Sequence, residues 1–216
     1  MPAFCGQGVT MTMQIITLDQ NRISALEKAI AVLRGGGVAV IPTETVYGLM
    51  ARYDNAAGRD RIFALKHRSA DKQLQMLAAD LPSALAAGVV ADPRLEKLAC
   101  QLWPGPLTVI CRGIAETTVG LRIPDHLFIR DLIRQAGFPL AATSANRSGQ
   151  PPAKTAAAAV ADLDGEPDLV IDGGPADGVA STVVSLLESP PKILRPGAIS
   201  LEQILAALQP PGLPAV

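Results

Sequence analysis

Short apolar runs and helix-like segments alternate along almost the whole chain, and this alternation restricts the fold more than any other feature. Residues 38–41 form an apolar run that Pro42 ends, and residues 107–111 form another directly after a proline-rich turn. Short runs bounded by Gly and Pro predict buried strands, whereas longer segments with apolar residues three and four positions apart predict helices. Because the two kinds of segment are mixed throughout, we predict an α/β (α+β) fold. Its core is one twisted sheet of parallel and antiparallel strands, flanked by helices.

The predicted elements cover most of the chain. Strands are predicted at residues 14–18, 38–41, 74–78, 107–111, 118–123, 140–142, 169–171, 183–187 and 192–194. Helices are predicted at residues 21–35, 59–65, 92–102, 127–136, 155–163 and 201–208. Ser24 and Glu27 form a capping-box pattern in the first helix, and Asp92 before Pro93 is typical of a helix start.

The chain shows no internal boundary between domains. Neither a Ser/Gly linker nor a run of like charges divides it, and it contains no internal repeat. We therefore predict one domain over residues 13–209. Residues 1–12 are interpreted as a disordered N-terminal extension, and the proline-rich residues 210–216 as a frayed tail.

Composition excludes several classes of protein. The chain has 216 residues, of which 49% are hydrophobic and 3% aromatic, so a sizeable aliphatic core is expected. A net charge of −1 does not indicate nucleic-acid binding, for which a strongly basic domain is typical. No apolar run approaches the roughly 20 residues of a membrane helix. The three cysteines lack the spacing of a disulfide framework or a zinc site. We predict a soluble, cytoplasmic protein that does not bind a membrane.

Polar residues flank several of the predicted strands. They carry hydroxyls, amides and cations: Thr43, Thr45, Tyr47, Arg122, Ser144, Asn146, Ser181, Thr182 and Arg195. Ligands of open α/β sheets bind at strand ends, and these groups bind phosphates and carboxylates well. With the nearby cations Lys66, Arg68 and Lys72, they predict one site for a nucleotide phosphate and a small polar substrate. Taken singly, each residue is more often structural.

Several common catalytic motifs are missing from the sequence. It contains neither a P-loop nor a G-x-G-x-x-G pattern. The two histidines are His67 and His126, and His67 stands beside cations that disfavour a neutral general base. We therefore predict no catalytic histidine. No H-E-x-x-H motif or carboxylate cluster predicts a metal held by the protein, so any Mg²⁺ is expected to arrive with phosphates.

Seven short motifs occur in a fixed order. They are PTETVYGL at residues 42–49, Lys66-x-Arg68, PGPLT at 104–108, LRIP at 121–124, TSAN-x-SG at 143–149, STVV at 181–184 and RPG at 195–197. One such motif is a weak signal, but seven in order are highly specific. In this order they resemble the YrdC-like threonylcarbamoyl-AMP synthases over residues 15–208. The resemblance implies a YrdC-like catalytic domain with a concave basic cavity, in the short single-domain form of the family.

The resemblance also implies a reaction. L-threonine, bicarbonate and ATP give threonylcarbamoyl-AMP, pyrophosphate and water. ATP is a substrate and carries Mg²⁺. A downstream threonylcarbamoyl transferase complex uses the product to modify adenosine 37 of tRNA, so tRNA is an indirect partner. Such chemistry needs positioning and charge stabilisation more than proton transfer, which agrees with a site rich in cations and poor in histidine.

By motif position, the resemblance implies residue roles. Lys66 and Arg68 would be catalytic, and Thr43 and Tyr47 would shape the pocket. Threonine would be bound by Thr45, Arg122, Ala142 and Ser181. ATP would be bound by Lys66, Arg68, Lys72, Thr118, Ser144, Asn146 and Arg195. The chain departs from the family at Ser69 and Gln73, where members often have Pro, and at Leu77, where some have His.

Three alternatives remain open from the sequence. The first is a double-stranded RNA-binding protein without adenylation activity, against which the near-neutral charge and the few aromatics argue. The second is another carbamoyl-transfer reaction, as in the related domain of hydrogenase maturation proteins, which carry further zinc-finger and acylphosphatase domains. The third is an inactive paralogue that keeps the cavity, against which the intact Lys66, Arg68, Arg122 and Ser144 argue.

Overall fold

The computed structural model of the chain describes residues 13–19, 21–69, 72–176 and 178–209. Within these ranges ten strands form one sheet and seven helices pack against it. The strands are β1 (Gln14–Thr17), β2 (Ala39–Pro42), β3 (Tyr47–Arg52), β4 (Gln75–Leu77), β5 (Leu107–Arg112), β6 (Thr118–Arg122), β7 (Leu140–Ser144), β8 (Leu169–Asp172), β9 (Thr182–Ser185) and β10 (Lys192–Arg195). The helices are α1 (Arg22–Arg34), α2 (Ala56–Lys66), α3 (Leu81–Ala86), α4 (Pro93–Leu102), α5 (Leu127–Ala136), α6 (Ala156–Ala161) and α7 (Leu201–Leu208).

The sheet mixes parallel and antiparallel neighbours, as predicted. Its strand order is β1-β8-β2-β3-β7-β4-β6-β5-β9-β10. The pairs β1–β8, β2–β8, β4–β6 and β5–β9 are parallel. The other neighbouring pairs are antiparallel. Parallel neighbours need crossover connections, and here those connections carry the helices onto the sheet. The predicted α/β class with a mixed sheet flanked by helices is therefore confirmed.

The two faces of the sheet are distinguished by side-chain direction, because successive residues of a strand point to opposite faces. Met50, Ala142 and Gln75 stand in register on β3, β7 and β4, and they define what we call the front face. Ala141 and Met76, one position along on β7 and β4, define the back face. The side chains of the site that lie on strands can be assigned to one face by this rule.

Helices cover both faces of the sheet around β2, β3, β7 and β8. On the front face α1 and α5 pack through Leu33, Ile129 and Leu132, which are fully buried. On the back face α2 and α6 pack through Ile62 and Ala159, which are also fully buried. This part of the sheet is therefore enclosed by core on both sides.

The other part of the sheet is covered differently. On its back face, Leu98 of α4 and Ile204 of α7 join an apolar cluster with Leu121 and Val109 of the sheet. Within the described residues, none of the three apolar clusters includes a front-face side chain of β5, β6 or β9. The front face of these strands is therefore left open, and it is the place where a ligand can reach the sheet.

Some predictions about single elements are wrong. The polar segment after β2 is only a short turn, because β3 begins at Tyr47 and pairs antiparallel with β2. Helix α3, which was not predicted, begins at Asp80 with a capping box. The N-cap of α1 is Asn21, whose side chain accepts from the Ser24 backbone N–H, so the predicted capping box of Ser24 and Glu27 does not form.

Two further expectations concern the chain ends and the membrane. The predicted extension at residues 1–12 and the predicted tail at residues 210–216 lie outside the described residues. Among the residues that the structure does describe, no helix combines the length and the apolar character that crossing a membrane requires.

Candidate functional site

A cavity of about 310 Å³ opens on the front face of the sheet. Its lining residues are Thr45, Val46, Arg68, Gln73, Leu74, Gln75, Thr108, Ile110, Gly120, Arg122, Ala142, Thr143, Ser144, Pro152, Ala180, Ser181, Val183 and Arg195. The charged residues among them are the three arginines Arg68, Arg122 and Arg195, and no carboxylate is found among the described lining residues. A cavity lined by three guanidiniums is suited to anionic ligands.

All seven sequence motifs contribute to this lining. In chain order their lining residues include Thr45, Arg68, Thr108, Arg122, Ser144, Ser181 and Arg195. These residues are far apart in sequence and come from different strands and loops. The motifs are therefore parts of one site.

The turn between β2 and β3 is organised by Thr43. Its Oγ1 donates to the Val46 carbonyl at 2.8 Å and accepts from the backbone N–H groups of Thr45 and Val46 at 3.2 Å. The Oγ1 atoms of Thr43 and Thr45 are 2.9 Å apart. Thr43 does not line the cavity, so it shapes the site indirectly by fixing Thr45, which does.

Arg122, at the end of β6, is 3% exposed and is held on two sides. Its Nη2 lies 2.7 Å from Oε1 of Glu44 and donates to Thr45 Oγ1 at 3.1 Å. Its Nε donates to the Gly105 carbonyl at 3.3 Å. Glu44 also accepts from the Asp125 backbone N–H at 2.9 Å. The carboxylate of Glu44 therefore compensates the buried charge and fixes the plane of the guanidinium against the cavity.

Arg195, at the end of β10, is fastened to Ser181. Its Nη2 donates to the Ser181 carbonyl at 2.8 Å and to Ser181 Oγ at 3.1 Å. Burial, followed by the nearby charge of Arg122, lowers the pKa of Arg195. A Cβ on Gly197 would stand 2.4 Å from the Thr182 backbone nitrogen and 2.5 Å from the Ala180 carbonyl oxygen. The glycine of the RPG motif is therefore needed to let this loop approach the Ser181 backbone.

Lys66 does not line the cavity, although the sequence predicted it there. Its side chain is 1% exposed, and Nζ donates to the backbone carbonyls of Ser144 and Asn146. Burial, followed by the charge of Arg68, lowers the pKa of Lys66 to about 8. Lys66 therefore ties the end of α2 to the cavity residue Ser144, at the end of β7, and to the loop that follows it.

The three cations of the predicted basic trio occupy different environments. Arg68 lines the cavity, with Nε donating to the Lys72 carbonyl and Nη2 to the Gln73 carbonyl, both at 3.0 Å. Lys66 is buried, as described above, and Lys72 is exposed outside the lining. The trio is therefore not one cluster, because Arg68 alone among the three faces the cavity.

The predicted residues Thr118 and Asn146 also lie outside the lining. Thr118 exchanges hydrogen bonds with the amide of Gln73, at 3.2 and 3.3 Å, and Gln73 does line the cavity. Asn146 is 4% exposed and donates through Nδ2 to the carbonyls of Arg147 and Gln150. Its Oδ1 is buried without a partner among the described residues. These side chains support the loops around the cavity.

Tyr47 points to the back face, away from the cavity. Its ring belongs to the apolar cluster beneath α2 and α6, and its hydroxyl donates to the Gly174 carbonyl at 2.6 Å. Burial raises the pKa of Tyr47 to about 12. The contribution of Tyr47 is therefore to pack β3 and to fasten it to the chain after β8.

The sequence prediction missed several residues of the site. Gln75 and Thr108 line the cavity, and Glu44 pairs with Arg122. A signal was available for each. Gln75 interrupts an apolar strand, Thr108 ends the PGPLT motif, and Glu44 lies between two threonines already selected.

Neither histidine lies in the lining of the cavity. His67 Nε2 is 2.6 Å from Asp164 Oδ2 at the end of α2. Burial, ahead of the surrounding charges, lowers the pKa of His126. Within the described part of the chain, no group of three or more His, Cys, Asp or Glu side chains is arranged to hold a metal ion.

The fold and the site define a class of protein: a mixed-sheet α/β protein with an anion-accepting cavity on the open part of its sheet. The profile of the Sua5/YciO/YrdC family, described as telomere recombination, matches residues 31–197. The chain therefore belongs to this family.

Individual relatives agree with this assignment. The chain is similar to the threonylcarbamoyl-AMP synthase of Bacillus subtilis strain 168, with 39% identity over 213 residues that cover 94% of this chain and 60% of the relative. It is similar to the threonylcarbamoyl-AMP synthase of Mus musculus, with 37% identity over 203 residues that cover 86% of this chain and 71% of the relative. The structure of P. abyssi Sua5 complexed with L-threonine matches with a TM-score of 0.81 and 35% identity, over 91% of this chain and 60% of that one. The chain thus spans about 60% of the length of the first of these relatives.

Proposed function

We propose that this protein is a threonylcarbamoyl-AMP synthase, which makes threonylcarbamoyl-AMP and pyrophosphate from L-threonine, bicarbonate and ATP. One observation carries the proposal: residues from all seven motifs line a single cavity, whose described lining contains three guanidiniums and no carboxylate. The substrates and the product all bear negative charge, so such a cavity suits them. The relatives named threonylcarbamoyl-AMP synthase support the same activity.

The threonine part of the proposal uses residues of the cavity. Arg122 would bind the threonine carboxylate through Nη1, because the bonds of Nε and Nη2 hold the guanidinium in a fixed plane and Nη1 donates to no described residue. Ser181 would bind the same carboxylate. Thr45 and Ala142 would contact the rest of the amino acid. The P. abyssi Sua5 structure, which is complexed with L-threonine, supports an amino-acid site in this fold.

The ATP part of the proposal uses the other cations. Arg68 and Arg195 would bind the phosphates from inside the cavity, and Lys72 would reach them from its edge. Ser144 would donate its hydroxyl, while Asn146 and Thr118 would act by holding the neighbouring loops. Lys66 would act in the same indirect way, because its ammonium already donates to two carbonyls.

The proposed chemistry depends on position and charge. The threonine nitrogen attacks the carbon of bicarbonate, water leaves, and a carbamate forms. A carbamate oxygen then attacks the α-phosphorus of ATP, and pyrophosphate leaves. Arg68 and Arg195 would stabilise the charge that builds up on the phosphates. The described lining residues offer no carboxylate to a divalent cation, so Mg²⁺ would be held by the phosphate oxygens of ATP.

The proposal extends to partners and location. The product is an acyl adenylate, so a downstream threonylcarbamoyl transferase complex would consume it, and tRNA would be reached indirectly. A cytoplasmic location agrees with Cys100 and Cys111, which are free thiols. We expect one domain over residues 13–209 to carry the activity.

Pyrophosphate release from ATP tests the proposal. We expect release only when threonine, bicarbonate and ATP are all present, and a new adenylate of the mass of threonylcarbamoyl-AMP should accumulate. Threonine is omitted in one reaction, and bicarbonate is omitted from CO₂-depleted buffer in another. Release that is indifferent to both omissions would contradict the proposal. Salt-sensitive binding of double-stranded RNA without any pyrophosphate release would favour the RNA-binding alternative.

A further inference from the structure

Four side chains of the cavity form one hydrogen-bonded row: Arg195, Ser181, Thr108 and Gln75. Nη2 of Arg195 lies 3.1 Å from Ser181 Oγ, which lies 2.9 Å from Thr108 Oγ1. Thr108 Oγ1 in turn lies 3.0 Å from Oε1 of Gln75. Ser181 and Thr108 are 3% and 4% exposed, so water does not compete strongly for their hydroxyls. The row therefore links two lining residues on different strands, Gln75 and Arg195.

The direction of each hydrogen bond in this row follows from chemistry. An amide oxygen only accepts, so Thr108 donates its single hydroxyl hydrogen to Gln75 Oε1. Thr108 can then only accept from Ser181, and Ser181 accepts from Arg195 Nη2. Both hydroxyl hydrogens are used inside the row. What remains for the cavity is Nε2 of Gln75, which donates to no described residue.

The row also has a second arrangement with the same atom positions. Turning the amide of Gln75 about its last side-chain bond exchanges Oε1 and Nε2. Nε2 then donates to Thr108, Thr108 donates to Ser181, and the hydrogen of Ser181 is released toward the cavity. At the same time Oε1 of Gln75 becomes an acceptor that faces the cavity. The donor at Ser181 and the acceptor at Gln75 therefore appear together.

We propose that amino-acid binding selects this second arrangement, and that Gln75 is a substrate-binding residue whose Oε1 accepts from the amino group of threonine. The inference rests on the proposed function, in which Ser181 binds the substrate carboxylate. A carboxylate only accepts, so it requires Ser181 to donate. Donation by Ser181 reverses the row and presents the acceptor at Gln75.

The charges of the cavity explain why such an acceptor is needed. Among the described lining residues the charged ones are all arginines, and none of these lining residues carries a carboxylate that could accept from an amine. A buried N–H without an acceptor is costly, so the amino group must find a neutral oxygen. The amide oxygen of Gln75 supplies one and leaves the nitrogen able to react. Thr108 acts as a positioning residue, because it transmits the state of Ser181 to Gln75.

Steady-state pyrophosphate release tests this inference. In Gln75→Leu we expect the KM for threonine to rise about tenfold, as for loss of a hydrogen bond to a charged group, with the KM for ATP within about twofold of wild type. Thr108→Val should raise the threonine KM in the same direction, and Thr108→Ser, which keeps the hydroxyl, should restore it. Gln75→Met is a second variant that keeps an unbranched side chain. Gln101→Leu, on α4 behind the sheet, is the matched control.

A second amino acid identifies the group that Gln75 contacts. L-2-aminobutyrate has the amino group of threonine but lacks its β-hydroxyl. Gln75→Leu should therefore raise the KM for L-2-aminobutyrate by the same factor as the KM for threonine. A variant that raises the KM for threonine alone would overturn the assignment to the amino group. An unchanged threonine KM in Gln75→Leu and Gln75→Met, in the presence of an active wild type, would overturn the inference alone. A wild type without threonine-dependent release would overturn the proposed function and this inference with it.

Discussion

Two buried cations beside the cavity are stabilised in different ways. Arg122 is 3% exposed and pairs with the carboxylate of Glu44 at 2.7 Å. Lys66 is 1% exposed and donates to two backbone carbonyls, with no carboxylate partner among the described residues. The first arrangement compensates the charge, whereas the second satisfies only its hydrogen bonds. The two residues should therefore respond differently to substitution and to pH.

Two replacements of Arg122 should distinguish the contribution of its donor geometry to threonine binding from the contribution of its charge to stability. Arg122→Lys keeps the charge but loses the planar pair of donors, so we expect the KM for threonine to rise more than tenfold with a small change for ATP. Arg122→Ala leaves the carboxylate of Glu44 without its partner, so the free energy of unfolding should fall by about 2–5 kcal/mol. Enzyme kinetics and urea denaturation measure the two effects. Arg112→Lys, an exposed arginine of β5, is the control, and equal threonine KM values in Arg122→Lys and wild type would contradict the assignment.

The free energy of unfolding should depend on pH through Lys66. Its folded-state pKa of about 8 lies below the ordinary 10.5, so between these values the unfolded chain binds more protons. The contribution of Lys66 to the free energy of unfolding should therefore increase by on the order of 2 kcal/mol as the pH rises from about 8 to 10.5. Urea denaturation across this range should show the increase in wild type and in Lys28→Met, which changes an exposed lysine. The same increase in Lys66→Met would contradict the explanation.

The motifs of the sequence predicted several lining residues of this site correctly, but not the burial and the contacts of the residues around them. Thr45, Arg122 and Ser181 were predicted from motif positions, and all three line the cavity. The burial of Lys66 could not be predicted, because its acceptors lie 78 and 80 residues further along the chain. Gln75 interrupts an apolar strand, but it was missed because one polar residue in a short strand does not show which other residues share its face of the sheet. Long-range contacts, which a sequence pattern does not specify, decide both cases.

At the scale of elements, close approach of backbones determines where the site can form. Gly197 brings the loop after β10 against the start of β9, which places Arg195 beside Ser181. Gly120 on β6 has a related role in the cavity, since an added Cβ would stand 3.2 Å from Ile110 Cδ1. Glycine keeps the cavity open at one position and lets two elements touch at the other.

Substitution of Gly197 should affect both stability and binding. A Cβ would stand 2.5 Å or less from three backbone atoms near Ser181, so Gly197→Ala must push this loop from β9. We expect about 1–3 kcal/mol of destabilisation together with a higher KM for threonine. Thermal unfolding and kinetics check this. Gly35→Ala is the control, because Gly35 has an ordinary φ of −72° and an added Cβ would stand 3.3 Å from its nearest neighbour, the Ala31 carbonyl oxygen. If Gly197→Ala destabilises the protein no more than Gly35→Ala does, the packing argument is contradicted.

Elements with strong local signals were predicted well. Helices α5 and α7 have the predicted bounds, because each has a clear apolar period and Ser200 caps the start of α7. Strand β3 was missed because the turn before it is only four residues long, and its first residues resemble a polar loop. Helix α3 was missed because six residues give too short a period to recognise. Strand order depends on long-range pairing, which the local pattern does not carry.

At the scale of the whole molecule, charge is distributed unevenly. The net charge is −1, yet the described lining of the cavity holds three arginines and no acidic residue. Net charge is an average over the whole surface, so a value near zero does not reveal a local cluster of cations that suits anionic ligands. The open front face allows this concentration of charge, because guanidiniums there remain accessible to a ligand.

Ligand binding should therefore stabilise the fold. At about 100 times its Kd a ligand contributes about 2.7 kcal/mol, which corresponds to an increase in Tm of roughly 5–10 °C for a domain of this size. We expect ATP with L-threonine to produce such a shift, and the part due to ATP should shrink as salt increases. Differential scanning fluorimetry measures it, with D-threonine as the control. Equal shifts with the two enantiomers would argue against a specific amino-acid site.

The sheet beneath the cavity is a single layer of backbone. Gln75 and Gly120 line the cavity, and the next residues, Met76 and Leu121, pack into the core on the other side. A substitution that changes the side-chain volume of Leu121 should shift the backbone of β6 and so change the shape of the cavity, because a close-packed core has no free space to accommodate it. Substrate preference in this fold can consequently evolve through mutations at positions that no substrate ever touches.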